Sequence, residues 1–149
     1  TMVRFEHANL VVKNIEDTLQ FIQTAFPSWV IRGQGEMQWR GNTRRWLHVG
    51  DDDYYLTLND GAHEENRSLK GGAAGLAHLG FVVDDLDEVI SRLQNNGYEI
   101  NVDLAKHAFR KNVYFVDPEG FQFEFVQYFS EVAHERNTYE SSQNIQVQS

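Results

Sequence analysis

Phe5 to Val12 (FEHANLVV), polar at first and closing on Leu10-Val11-Val12, predicts a strand. Asn14 and Asp17 are helix-start residues. Leu19, Ile22, Gln23 and Phe26 follow at helical spacing, with Pro27 just beyond. Val30 to Trp39, Arg45 to Val49 and Tyr54 to Leu58 read as three further strands, separated by Gly41-Asn42 and by Gly50-Asp51-Asp52-Asp53. Asp60 to Gly75 is polar and Gly-rich and predicts a loop. The pattern then returns. Ala77 to Val83 predicts a strand, and Asp84 and Asp85 sit at a helix start. Leu86, Val89, Ile90 and Leu93 form an apolar stripe, and Asn95-Asn96-Gly97 ends the helix. Tyr98 to Val102, Asn112 to Val116 and Phe121 to Tyr128 predict the closing strands. Asp117-Pro118-Glu119-Gly120 suits a type I turn before the last of them.

Each half thus reads strand–helix–strand–strand–strand, and the halves align. HANLVVKNIEDTLQFIQ from His7 lies over HLGFVVDDLDEVISRLQ from His78, and YYLTL from Tyr54 over FQFEF from Phe121. The expected organisation is a first module over 4–60, a linker over 61–75, a second module over 76–129 and a polar tail over 130–149. Two similar modules invite pseudo-symmetric packing, in which a site on the axis draws equivalent positions from both.

Those equivalent positions are His7, Thr57, His78 and Glu124. Phe121, Phe123 and Phe125 share one face of the last strand, so Glu124 projects from the other. His7 and His78 likewise lie opposite the apolar residues of their own strands. If the two sheets curl toward one another, the three side chains converge. Two neutral imidazoles and one carboxylate form the facial triad of non-haem iron(II) sites, and the same donors accept Mn, Zn, Co or Ni. Thr57, where a second carboxylate could stand, is a poor ligand.

Composition narrows the chemistry. The chain has 149 residues, enough for one domain with a real core. Thirteen Lys+Arg against 22 Asp+Glu give a net charge of −9, which argues against nucleic acid and anionic membrane as partners. With no cysteine, disulfides, thiol catalysis and thiolate-ligated metals are excluded. No apolar run approaches a membrane span and the beginning of the sequence carries no signal pattern, so a cytoplasmic location is expected. His63 and His134 sit in polar stretches, and Asp51-Asp52-Asp53 lacks EF-hand spacing.

The paired βαβββ pattern, His7 in HANLVV, His78 in HLGFVVDD and YFVDPEGFQFEF at the close resemble the vicinal oxygen chelate superfamily, over about residues 4 to 129. That superfamily includes glyoxalase I, bleomycin-resistance proteins, fosfomycin-resistance transferases and extradiol dioxygenases. The resemblance implies an α+β fold in which two tandem modules form a cupped, mostly antiparallel sheet with helices outside. It implies one divalent metal at His7, His78 and Glu124, a small substrate with vicinal oxygens, and a homodimer. HAFRKNVYFVDPEGFQFE from His107 is similar to the extradiol dioxygenase signature. On that resemblance Tyr114 would hydrogen-bond a substrate oxygen, His107 would act as acid/base, and Fe(II) is the favoured metal over Mn, Zn, Ni or Co. Ala105 departs from the signature, and the gap from His107 to Tyr114 is at its short limit. A glyoxalase-like lyase or isomerase would want a second carboxylate or amide at Thr57. A fosfomycin-type transferase would need cations such as Arg110 and Lys111. A metal-free binder would need a cavity, which Trp39, Trp46, Tyr54 and Tyr55 could line with His48 nearby.

Overall fold

The structure, a computed structural model, describes residues 2–139. The chain divides between Asn66 and Arg67 into two compact units. The first contains β1 (His7–Val11), α1 (Ile15–Ala25), β2 (Val30–Trp39), β3 (Asn42–Gly50) and β4 (Tyr55–Asn59). The second contains β5 (Leu79–Val82), α2 (Leu86–Asn95), β6 (Ile100–Asp103), β7 (Arg110–Val116), β8 (Gln122–Tyr128) and α3 (Ala133–Arg136). Among the described residues no helix is long and apolar enough to cross a membrane.

Each unit holds a four-stranded mixed sheet, with orders β1-β4-β3-β2 and β5-β8-β7-β6. The first strand of each pairs parallel with the last, and the other pairings are antiparallel. A helix after the first strand supplies the crossover that parallel pairing requires. The element order is the one that the sequence pattern predicts, and the architecture is the α+β, two-module, mostly antiparallel one that the resemblance implies.

Local chemistry explains the elements. The side chains of Asn14 and Asp85 cap α1 and α2, accepting from Asp17 N at 3.0 Å and Glu88 N at 3.1 Å. Tyr98 N donates to Leu93 O and Gly97 N to Gln94 O, which is a Schellman closure with Gly97 at φ 88°. Arg40 and Gly41 both have positive φ, as in the two-residue turn that suits a hairpin. Asn42 therefore opens β3 rather than belonging to a loop, and the strand starts three residues before the expected Arg45.

The core of the first unit is Leu10, Leu47, Val49, Leu56 and Leu58 from the sheet with Ile15, Phe21, Ile22 and Ala25 from α1. Phe21 and Ala25 carry that helix face where the expected stripe had Leu19, which is only half-buried. In the second unit, Val113, Phe115, Phe123 and Phe125 are buried on one face of the sheet. The α2 helix, with Leu86, Val89 and Leu93 buried, packs on β8. Phe121 precedes β8 and is half-buried, so two of the three expected phenylalanines form the core row.

Residues 140–149 of the expected tail lie outside the described residues. The portion up to Tyr139 is tied to the second sheet. Arg110 Nη1 donates to Thr138 O at 2.7 Å, and the Arg136 guanidinium lies 4.2 Å over Tyr128. The expected linker over 61–75 carries no helix or strand, and Arg67 organises part of it by donating to the carbonyls of Ala73 and Leu76.

Gly97→Ala forces a side chain into left-handed backbone at the end of α2. It is expected to cost about 1–2 kcal/mol, read as a lowered urea midpoint at unchanged slope. An unchanged midpoint would show that the cap is dispensable.

Candidate functional site

Strand register decides which side chains share the face opposite each core. In the second sheet Glu124 is the partner of Tyr114 on one side and of Gly80 on the other. Gly80 adds no side chain, and open space lies where its Cβ would be. His78, just before β5, places Nε2 3.6 Å from Glu124 Oε2, and its ring meets Tyr114 edge-on with centroids 5.2 Å apart. Asn112 Nδ2 donates to Glu124 Oε1 at 3.2 Å. Burial, and then the hydrogen bond to Glu124 and that group's charge, push the Tyr114 phenol far above its ordinary value of 10.0. Tyr114 is therefore a neutral donor, aimed at a half-buried carboxylate.

This pair suits a metal ion. Two donor atoms each about 2.1 Å from one ion stand roughly 3.0–3.6 Å apart for bond angles from about 90° to 118°. The 3.6 Å between His78 Nε2 and Glu124 Oε2 falls at the upper end of that span. Within either unit, no group of three or more His, Asp or Glu side chains that could hold a metal ion is gathered among the described residues.

In the first sheet His7 is the register partner of Tyr55, and their rings stack with centroids 4.7 Å apart at 6°. His7 Nδ1 is 2.8 Å from Glu6 Oε1, and Tyr55 OH donates to the same oxygen at 3.3 Å. A carboxylate at Nδ1 fixes the proton there and leaves the Nε2 lone pair outward, as metal-binding histidines require. The His7 hydrogen bond in turn holds the Glu6 carboxyl below its ordinary range. Thr57 lies on this face, buried, opposite Asn9 and His48.

The expected residues thus fall into three places. His78, Glu124 and Tyr114 are together on the second sheet. His7 is on the first, with a carboxylate behind it. His107 is in the connection from β6 to β7, where its Nδ1 accepts the Phe109 N–H at 3.1 Å. Its proton is therefore on Nε2. Arg110 and Lys111 are both engaged, Arg110 with the carbonyls of Arg136 and Thr138 and Lys111 with Asp103 and Leu104 O.

Sequence reasoning missed Glu6 and Asn112. Asn112 shares strand parity with Tyr114, so its face was legible. Glu6 precedes the strand, and nothing in the pattern aims it at its neighbour's ring.

Two βαβββ units, each with polar groups on the face away from its core, define a paired-module class of α+β proteins. The model of the Glyoxalase/Bleomycin resistance protein/Dioxygenase superfamily matches residues 4–125, and the chain belongs to that family. Solved structures share the fold at low identity. A glyoxalase family protein from Bacillus cereus is 14% identical, with a TM-score of 0.71 over 87% of this chain and 97% of its own. A glyoxylase/bleomycin resistance protein/dioxygenase domain from Frankia sp. is 20% identical, with a TM-score of 0.69 over 93% and 100%. A point mutant of the fosfomycin resistance protein FosX from Listeria monocytogenes is 16% identical, with a TM-score of 0.67 over 93% and 100%. It is complexed with Mn(II) and 1S,2S-dihydroxypropylphosphonic acid.

His48 gives a pH handle on the first sheet. Burial, then the charges of Arg32 and His7, lower its pKa from the ordinary 6.5, against a smaller opposing effect of Glu6. The unfolded chain takes this proton first, so His48 favours the fold above pH 6.5, and that contribution is lost as pH falls through the lowered folded value. Melting temperature is expected to fall between pH 7.5 and 5.5, and His48→Gln to reduce the fall. An undiminished fall in the variant would assign it to other groups.

Proposed function

We propose that this chain is a metal-dependent vicinal oxygen chelate enzyme acting on a small substrate that presents two neighbouring oxygens. The observation that carries the reading is the His78–Glu124 pair at ligand spacing with the Tyr114 phenol beside it, in a chain of this superfamily. His7 is the third ligand, through Nε2, with Glu6 holding its Nδ1 proton. A divalent ion at these donors supplies Lewis acidity to bound oxygens. Fe(II) is favoured, with Mn, Zn, Ni or Co accepted by the same set.

The favoured reaction is oxygenase-like cleavage of a vicinal diol, on the similarity of His107, Tyr114 and Glu124 to the extradiol pattern. Tyr114, kept protonated by its surroundings, has one O–H, which turns from Glu124 to a substrate oxygen when that carboxylate is taken as a ligand, and so orients the substrate. His107 is the acid/base candidate on that pattern; with Nδ1 accepting the Phe109 N–H it presents its Nε2–H as a hydrogen-bond donor, and it takes up a proton as base only once Nδ1 is released from that contact. A homodimer in the cytoplasm is part of the same reading.

The FosX complex favours a second reading, fosfomycin-type transfer or lyase chemistry on an oxyanion substrate. Arg110 and Lys111 count against it, being engaged with protein oxygens. Thr57 counts against an isomerase that uses a second carboxylate.

Elemental mass spectrometry on anaerobically purified protein tests the metal. About one ion per chain is expected, lost in His7→Ala, His78→Ala and Glu124→Ala. Iron directs the next assay to oxygen uptake with catechols, where Tyr114→Phe is expected to lower kcat by roughly 10²-fold or more. Zinc, manganese or nickel directs it to transferase and lyase assays. Wild-type protein that holds no metal, and whose Tm added metal does not raise, would overturn the reading in favour of metal-free ligand binding.

A further inference from the structure

The first sheet carries a row of rings that the metal reading leaves without a role. On the face opposite its core, Tyr55 stacks on His48 with centroids 4.6 Å apart, and His48 meets Trp46 at 4.9 Å. The floor under Trp46 is glycine. Gly35 is its register partner, and a Cβ there would stand 3.1 Å from the indole. The indole therefore lies flat across β2, and a flat, half-buried ring in a polar sheet face suits a planar ligand.

Beyond Trp46 lies a cation. Arg44 follows it on the same face by strand parity, and Arg44 Nη1 donates to Asn59 Oδ1 at 3.3 Å. Asn59 is 5% exposed and is itself fixed by donating to Asn9 Oδ1 at 2.9 Å. Among the described residues, this is the only hydrogen bond of the Arg44 side chain, and no carboxylate pairs with it. Its equivalent in the second sheet is Arg110, since Trp46 faces Asn59 as Asn112 faces Val126. Arg110 closes onto two backbone carbonyls, whereas Arg44 keeps most of its five donors open in a chain of net charge −9. Another cation on this face, Arg32, lies 4.2 Å over Tyr55, with Glu6 and Asp51 near enough for its charge to lower both carboxyls.

We infer that this face is a recognition surface for an aromatic acid: the ring lies on Trp46, beside His48, and the Arg44 guanidinium takes the carboxylate. The row of His7 and the row of Asn59 are four residues apart along paired strands, about 13 Å. A single ring with a carboxylate at one end and vicinal oxygens at the other fits that span. The inference rests on the proposed function for the chelating end of the ligand, while the acid end belongs wholly to the first unit.

Titration calorimetry separates the two. The probes are 3,4-dihydroxybenzoate, catechol and benzoate, against wild type, Arg44→Gln, Arg44→Lys and Trp46→Leu, each checked for folding by circular dichroism. Wild type is expected to bind 3,4-dihydroxybenzoate at least 10-fold tighter than catechol. Arg44→Gln is expected to bring that ratio close to one, Arg44→Lys to keep part of it, and Trp46→Leu to weaken both ligands with the ratio retained. Benzoate is expected to bind metal-free protein and to lose affinity in Arg44→Gln. A wild type without preference for the acid, or a ratio that survives in folded Arg44→Gln, would overturn the inference. Should Arg44→Gln not fold, loss of benzoate binding in Trp46→Leu supports the surface and retention overturns it. Metal loss in the triad variants without loss of benzoate binding would leave this surface standing. Normal metal content with no acid preference would remove the surface and leave the metal reading.

Discussion

The alternation of side chains across each four-stranded sheet is the constraint from which the rest follows. One face of each sheet takes the large apolar residues, and the other is released from packing duty. Phe123 and Phe125 are fully buried, and Glu124 between them can project only to the opposite face. A shift of one residue in the β7–β8 register would put Glu124 into the phenylalanine core. The parallel pairing of β5 with β8 adds the second half of the arrangement, because it brings Gly80 beside Glu124 and leaves the carboxylate room. A carboxylate in an apolar strand is thus a consequence of two-sidedness.

The two sheets use the same grid for different chemistry. At the position of Glu124 the first sheet has Thr57, and at the position of Tyr114 it has His48. The second sheet concentrates hydrogen bonding on one carboxylate, with Asn112 and Tyr114 both donating to it. The first sheet instead lines up rings, His7 to Tyr55 to His48 to Trp46, each centroid within 5 Å of the next. Its carboxylate, Glu6, lies before the strand and orients His7 from behind. A neutral threonine at the matching position leaves the rings free to face a ligand.

Much of this was legible in the sequence because it is local. Period two located the strands, Asn14 and Asp85 marked the caps, and the overlay of the halves gave the order of elements. Parity and repeat equivalence both pointed to His78 and Glu124, and the resemblance to the extradiol signature pointed to Tyr114. Contacts that depend on distant segments were not legible. Phe21 replaced Leu19 on the core side of α1 because the sheet selects which of the helix's apolar residues are buried. Arg110 and Lys111 read as available charges, yet one closes on carbonyls beyond β8 and the other on Asp103. The hold of Asn59 on Arg44 spans 15 residues and two strands, and no motif announces it.

The contrast between Arg44 and Arg110 shows how repeat equivalence separates structural from recognitive roles. Both sit one step beyond the ring-bearing rows of their sheets. Where a C-terminal segment follows β8, the guanidinium is engaged with its carbonyls, and the oxyanion reading loses a cation. Where β4 runs into Gly61, the chain passes so close to Arg44 that a Cβ there would fall 2.3 Å from the guanidinium carbon. That closeness holds the group in place without taking its donors, because a glycine offers no side-chain acceptor. Asn59 fixes one nitrogen through a neutral amide, which leaves the positive charge uncancelled. A fixed, uncompensated cation beside a flat indole is an arrangement that an anionic ring completes.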